Sequence, residues 1–212
     1  MTEELSELAT RLDPVGTRDR LAAERGRVTS TARRSAVLAL LSRGPRPDLV
    51  FTERASTLRH HAGQMSFPGG RIDPGDADSV AAALRETHEE VGLASSAVTV
   101  LGELPPTSFT TRVFNVTPVV GTWSGDEPLA VMDAAEVQSI HRFAIDDLTA
   151  REHRAMVRHP QGGLGPAFVF GEYMVWGFTA HLVVELLKLG GWERPWPTRE
   201  LPIPDRFLRS GL

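Results

Sequence analysis

Leu5, Leu8 and Leu12 recur at helical spacing inside Thr2–Leu12 and predict an amphipathic helix resting on one apolar stripe, packed on its own chain or against a second copy. Arg34–Arg43 carries the unbroken apolar run AVLALL, and Leu49–Arg54 follows after the turn-rich GPRPD; together they predict a hairpin of buried strands. Ala55–Asp76 is rich in Gly, His and Arg and reads as a loop. The spacing then predicts a helix over Ala77–Val91, capped by Asp76 or Asp78 and stopped by Gly92, with Val80, Leu84, Thr87 and Val91 as its buried stripe. Strand-like segments follow at Val98–Leu104, Val116–Trp123, Val137–Ile145 and, as a pair, Ala167–Phe170 and Tyr173–Trp176. Phe178–Leu189 reads as a second long amphipathic helix closed by Gly190 and Gly191. The tail ERPWPTRELPIPDRF holds four prolines and predicts an extended strap without regular secondary structure. No repeat or linker interrupts the pattern, so the expectation is one α+β domain over residues 1–212.

Composition narrows the functions available. At 212 residues, 41% hydrophobic and 24% charged, the chain can bury a sizeable core without staples. It has no cysteine, which excludes disulfides, thiolate zinc sites and a Cys nucleophile. A net charge of −4 provides no broad basic field, so the expected partner is not nucleic acid. Lys188 is the single lysine, leaving any anion site to be built from guanidinium groups. The longest apolar runs, Ala36–Leu41 and Leu182–Leu189, fall well short of the roughly 18 residues that would suggest a membrane span. The start MTEELSELATRL is acidic and amphipathic rather than basic then apolar, so no signal peptide, no membrane partner and a cytoplasmic location are expected.

Chemistry concentrates on the helix at 77–91. On its wheel Glu86 and Glu90 share a face, Glu89 lies one step round, and Arg85 lies beyond it. Like charges so spaced cost a few tenths of a kcal/mol per pair, a cost that a bound divalent cation removes. Mg²⁺ suits such a face because it prefers oxygen ligands and takes one or two carboxylates together with substrate phosphates. A solvated acidic face paired with arginines is the alternative. The glycine turn Phe67-Pro68-Gly69-Gly70 precedes the helix, where backbone can approach a ligand closely and offer it a carbonyl.

Read as one string, GGRIDPGDADSVAAALRETHEEVGL resembles the Nudix hydrolase box, G-x5-E-x7-R-E-U-x-E-E-x-G-U with U aliphatic. Gly70 opens it, and Arg85 through Leu93 fill its second half. Asp76 stands where the template has glutamate, and eight residues rather than seven separate it from Arg85. The resemblance implies an α/β/α sandwich with a mixed sheet and an Mg²⁺ or Mn²⁺ ion held by Gly70, Glu86, Glu89 and Glu90. Arg85 is expected to tie the helix to neighbouring carboxylates.

Upstream, Thr52, Arg54, Ala55, Arg59, Gly63 and Phe67 through Gly70 fill T-x-R-[SA]-x3-R-x3-G-x3-F-P-G-G without a gap. This pattern is similar to the signature of the coenzyme A pyrophosphatase branch of Nudix enzymes, which also tends to place Asp at the positions of Asp73 and Asp76. The likeness extends over about residues 35–190 and implies hydrolysis of the coenzyme A diphosphate to 4′-phosphopantetheine and adenosine 3′,5′-bisphosphate. Arg54, Arg59, Gly63, Phe67, Pro68 and Gly69 then form the substrate side, with the two guanidinium groups gripping phosphate oxygens. Alternatively, either arginine pins the loop through Asp73 or Asp76, and Phe67 fills core. His60 and His61 stand near the expected site. The general base is expected at Glu89 or Glu136, since Glu172 sits in an exposed turn. Other readings remain open: a Nudix hydrolase of another nucleotide such as ADP-ribose or NADH, or a silent nucleotide-binding domain. The sequence does not fix the oligomeric state; a homodimer through the N-terminal helix and proline tail is among the assemblies it allows.

Overall fold

The computed structural model describes residues 2–12, 33–107, 114–160, 162–196 and 199–208. The predicted hairpin forms the heart of a seven-stranded mixed sheet. Strand β1 (Arg33–Ser42) pairs antiparallel with β2 (Asp48–Arg54) and runs parallel to β6 (Phe114–Trp123) over its whole length. β5 (Thr99–Glu103) continues the sheet beyond β6, and β7 (Val137–Ala144) pairs with β2. Two short strands, β3 (Met65–Ser66) and β4 (Gly69–Arg71), lie where a plain loop was expected. Neither has a hydrophobic period of its own. Both exist through long-range pairing, β3 with β2 and β4 with β1, where Ala36 faces Gly70 and Val37 faces Gly69.

The run AVLALL is apolar throughout because β1 is covered on both faces. Ala36, Leu38 and Leu40 pack with Ala82, Ala83 and Val91 of helix α2 (Ser79–Val91). Ala39 and Leu41 point the other way, into a cluster with Leu5 and Leu8 of α1 (Glu3–Arg11) and Leu182, Val183 and Leu186 of α4 (Gly177–Leu189). Each such leucine buried from water contributes roughly 1.5–3 kcal/mol. The mixed sheet between helical layers is the α/β/α arrangement the box implies, and the fold class is α+β. The short helix α3 (Ile145–Thr149) follows β7.

A second, four-stranded sheet has the order β10 (Tyr173–Trp176), β9 (Leu164–Phe170), β8 (Arg154–Arg158), β11 (Glu200–Leu201), and α4 packs on β9 and β10. β8 was not anticipated; β9 and β10 match the predicted pair. The tail departs from its expectation. Glu200–Leu201 form β11, parallel to β8, and Asp205–Leu208 form the one-turn helix α5. Ile203 and Phe207 close a third apolar cluster with Val157, Ala167, Met174 and Trp176. The buried Arg154 guanidinium lies 3.9 Å from the centre of the Trp196 ring and donates to the carbonyls of Arg194 and Pro195, at 2.8 and 3.2 Å. Pro197 and Thr198 of the tail lie outside the described residues.

The α1 stripe is consumed within the chain: Leu5 and Leu8 are fully buried, and Arg11 donates to the Leu189 carbonyl at 2.9 Å. Among the described residues the α1 stripe is therefore spent on this chain's own core. No helix among the described residues is long and apolar enough to cross a membrane.

Candidate active site

Helix α2 carries the acidic groups, and its ends follow local chemistry. Asp78 Oδ1 accepts from the Ala81 amide at 2.8 Å, and Gly92 ends the helix in the left-handed region at φ 77°. Such an N-cap contributes about 1 kcal/mol. The buried face is turned from the one expected: Ser79, Ala82, Ala83, Thr87 and Val91 are covered, whereas Val80 and Leu84 are only half-buried. Small side chains bring α2 close to β1 and β4, and that approach draws Glu90 inward with them.

Glu90 is 4% exposed, and its Oε2 accepts the Gly69 amide at 3.1 Å. Burial raises its pKa to about 8 against the pull of that amide, and the Glu86 and Glu136 charges raise it further while Arg54 opposes them. Glu86 is also raised, first by burial; Arg85 counteracts, and Glu89 and Glu136 add to the rise. Glu86 sits against the glycine turn so closely that a Cβ at Gly70 would lie 2.6 Å from its Cδ.

Arg85 is the hub, as the sequence anticipates. Its Nε and Nη2 donate to the two Asp76 oxygens at 3.0 and 2.9 Å, and Nη2 also to the Arg71 carbonyl at 3.0 Å. Its Nη1 reaches Glu86 at 3.0 Å and Glu89 at 2.9 Å. The same pairing holds the Asp76 carboxyl below its usual range. The eight-residue spacing therefore leaves Asp76 engaged by the box arginine. Asp76 is pinned by Arg85, not by Arg54 or Arg59. Glu89 is exposed and occupied by Arg85, and Glu136 is exposed at the start of β7, where its carbonyl accepts the Ala55 amide at 2.8 Å.

Arg54 ends β2 on the acidic side. Its Nε is buried, and no described protein group accepts from it. Arg59 is exposed and forms no ion pair among the described residues. Gly63 adopts φ 68° and its amide donates to the Arg54 carbonyl at 2.9 Å. Pro68 is buried, and its carbonyl accepts from Leu38 at 2.8 Å. The expectation that Phe67 faces substrate is corrected: the ring is 2% exposed and stacks on Phe51, centroids 5.0 Å apart, inside the core. Glu172 lies in an exposed turn, as expected.

A divalent ion fits this donor set. Glu86 and Glu90 are both oxygen donors, and the two carboxyls crowd each other in a place where burial already opposes their charge; the Gly70 carbonyl, expected to join them, instead faces Ala36 in the ladder between β4 and β1. Among the described residues no three acidic or histidine side chains form a complete cage. A hard divalent ion at such a face would complete its coordination with waters and substrate phosphates.

A family model for the NUDIX domain matches residues 32–161. The chain is 41% identical over 167 residues to an uncharacterized Nudix hydrolase NudL of Cronobacter sakazakii, covering 77% of this chain and 85% of the relative. It is 40% identical over 177 residues to the Escherichia coli K12 protein of the same name, covering 77% of this chain and 86% of that one. A crystal structure of a NUDIX hydrolase from Alicyclobacillus acidocaldarius superimposes with a TM-score of 0.47 at 21% identity, covering 58% of this chain and 84% of the other. The chain belongs to the Nudix hydrolase family.

Proposed function

We propose that the protein hydrolyses the diphosphate of coenzyme A or a close derivative, with Mg²⁺ or Mn²⁺ held by Glu86 and Glu90. The observation that carries this reading is the Arg54 guanidinium: its Nε–H is buried without an acceptor among the described residues, and its charge is electrostatically coupled to Glu90 at the acidic face. A buried donor left unpaired costs about 1–3 kcal/mol, and a phosphate oxygen is the acceptor that removes the cost. The uninterrupted signature from Thr52 to Gly70 supports coenzyme A over other diphosphates.

The bound ion supplies charge that offsets the leaving phosphate and favours deprotonation of water. The chain's own groups do the rest. Arg54 holds a phosphate oxygen, with the exposed Arg59 available to another phosphate of the substrate. Glu136 is the general base that takes the proton from the attacking water. It carries no hydrogen bond to Arg85, whereas Glu89 is engaged there. Water oxygen bonds to one phosphorus, the bridging P–O bond breaks, and the two phosphomonoesters leave. A shallow cavity of about 280 Å³, whose lining includes Ala55, Ser56, Thr57, Val131, Val137 and Gln138, offers room for an uncharged substrate arm.

Turnover of coenzyme A compared with 3′-dephospho-coenzyme A and ADP-ribose tests the assignment. A higher kcat/KM for coenzyme A supports it, and preference for ADP-ribose contradicts it.

A further inference from the structure

We propose that Gln64 is a positioning residue for Arg54, and that its amide is aimed by the C-terminal segment around Phe207. The proposal rests on the reading of Arg54 as the phosphate-holding group.

The loop from Arg54 to Gln64 closes on itself through backbone bonds. The Arg54 amide donates to the Gln64 carbonyl at 3.0 Å, the Gly63 amide donates to the Arg54 carbonyl at 2.9 Å, and the Gln64 amide donates to the His61 carbonyl at 3.1 Å. Closure forces His61 to φ 58°, the one described non-glycine residue with a positive φ. Such a conformation costs on the order of 1–3 kcal/mol and persists only where neighbours over-determine it.

The Gln64 side chain supplies that over-determination from both ends. Its Nε2 donates to the Phe207 carbonyl at 3.2 Å, and its Oε1 lies 3.1 Å from His61 Nδ1. A carbonyl only accepts, so Phe207 fixes which end of the amide faces it, and Oε1 must face His61. Oε1 only accepts in turn, so Nδ1 carries the proton, and in the neutral ring Nε2 is left as an acceptor. The His61 imidazole is held below its ordinary pKa by desolvation first, against the Gln64 bond, with the Arg54 and His60 charges adding to the lowering; Arg54 and His61 thus feel one another directly.

Phe207 is held in place independently of the loop. Its ring is 2% exposed in the third apolar cluster, and the neighbouring Arg206 pairs with Glu172 at 3.6 Å. The tail is therefore a fixed abutment, and Gln64 transmits its position to the backbone on either side of Arg54.

The test compares wild type with Gln64→Glu and Phe207→Ala in the full chain. Gln64→Glu keeps an acceptor for His61 and loses the donor to Phe207. Hydrogen exchange at the Arg54 and Gly63 amides should accelerate at least tenfold in both variants, while α2 amides keep their protection. KM for the diphosphate should rise about tenfold or more with kcat within about twofold. Should Phe207→Ala not fold, Gln64→Glu alone decides. Unchanged exchange in Gln64→Glu, or faster exchange with unchanged KM, overturns the proposal. Should wild type turn over no diphosphate, the functional reading falls on its own. Calorimetric binding of inorganic pyrophosphate then replaces KM, and equal affinity in wild type and Gln64→Glu overturns the positioning role.

Discussion

Glu90 Oε2 accepts the backbone N–H of Gly69 at 3.1 Å, joining the glycine turn to a residue 21 positions later on the acidic face of the following helix. The contact places the carboxyl of Glu90 beside the Gly69 amide and ties the turn to the helix. Several consequences can be measured.

Gly69 and Gly70 should respond oppositely to alanine. A Cβ at Gly69 would meet Ala36 O at 2.4 Å and Val37 Cα at 2.5 Å, both backbone of the central strand, at a φ of 148°. Gly69→Ala should therefore cost at least about 2 kcal/mol of stability in denaturant unfolding. At Gly70 the added atom meets the Glu86 carboxylate, the movable end of a side chain. Gly70→Ala should fold with near wild-type stability and lose metal affinity, measured by calorimetry, by about tenfold or more.

Arg85→Ala releases Asp76, Glu86 and Glu89 together. The loss expected is roughly 1–3 kcal/mol in unfolding, with the larger share from the half-buried pair with Asp76. Arg85→Lys should recover little, because one ammonium cannot reproduce a fork that bonds both Asp76 oxygens. Full rescue by lysine would contradict this reading.

Glu90 imposes an alkaline penalty on the metal-free protein. Its folded pKa of about 8 lies above the ordinary carboxyl value, so the folded state holds a proton that the unfolded chain has lost. Stability should therefore fall as pH rises from about 5 through 8, and Glu90→Gln should flatten that slope in thermal scans without metal. A slope unchanged by the substitution would contradict it.

His141 acts on the acid side. Its Nε2 lies 2.7 Å from Ser139 Oγ, which donates to Glu53 at 2.6 Å, and desolvation holds the imidazole below its ordinary pKa despite the Glu53 charge. The unfolded chain takes up the proton first, so this group lowers stability as pH falls through the ordinary histidine range. His141→Gln should reduce the stability lost between pH 7 and 5. An unaltered acid slope would show that His141 does not contribute.

Much of this was legible in the sequence where local chemistry decides. The AVLALL run gave away a strand covered on both faces, Asp78 and Gly92 bracketed α2, and the REUxEE order anticipated Arg85 as the tie among carboxylates. Where partners distant in sequence decide, the pattern was silent or misleading. β4 exists because Gly70 faces Ala36, and β8 is masked by Arg154, whose charge is buried only because Trp196 and two tail carbonyls receive it. The wheel favoured large side chains at Val80 and Leu84, whereas close packing selected Ser79, Ala82 and Ala83. Phe67 shares a motif with residues at the acidic face, yet its side chain alternates into the core against Phe51. Gln64 gave no signal, because its role depends on a carbonyl 143 residues away.

The central claim is coenzyme A hydrolysis at the Glu86–Glu90 face. Its most direct test incubates wild type and Glu90→Gln with coenzyme A and Mg²⁺ or Mn²⁺ and separates the products by chromatography. Wild type should release adenosine 3′,5′-bisphosphate and 4′-phosphopantetheine, and Glu90→Gln should be slower by at least about 10²-fold. No product from a folded wild-type protein would contradict the substrate, and an unchanged rate in Glu90→Gln would contradict the metal face.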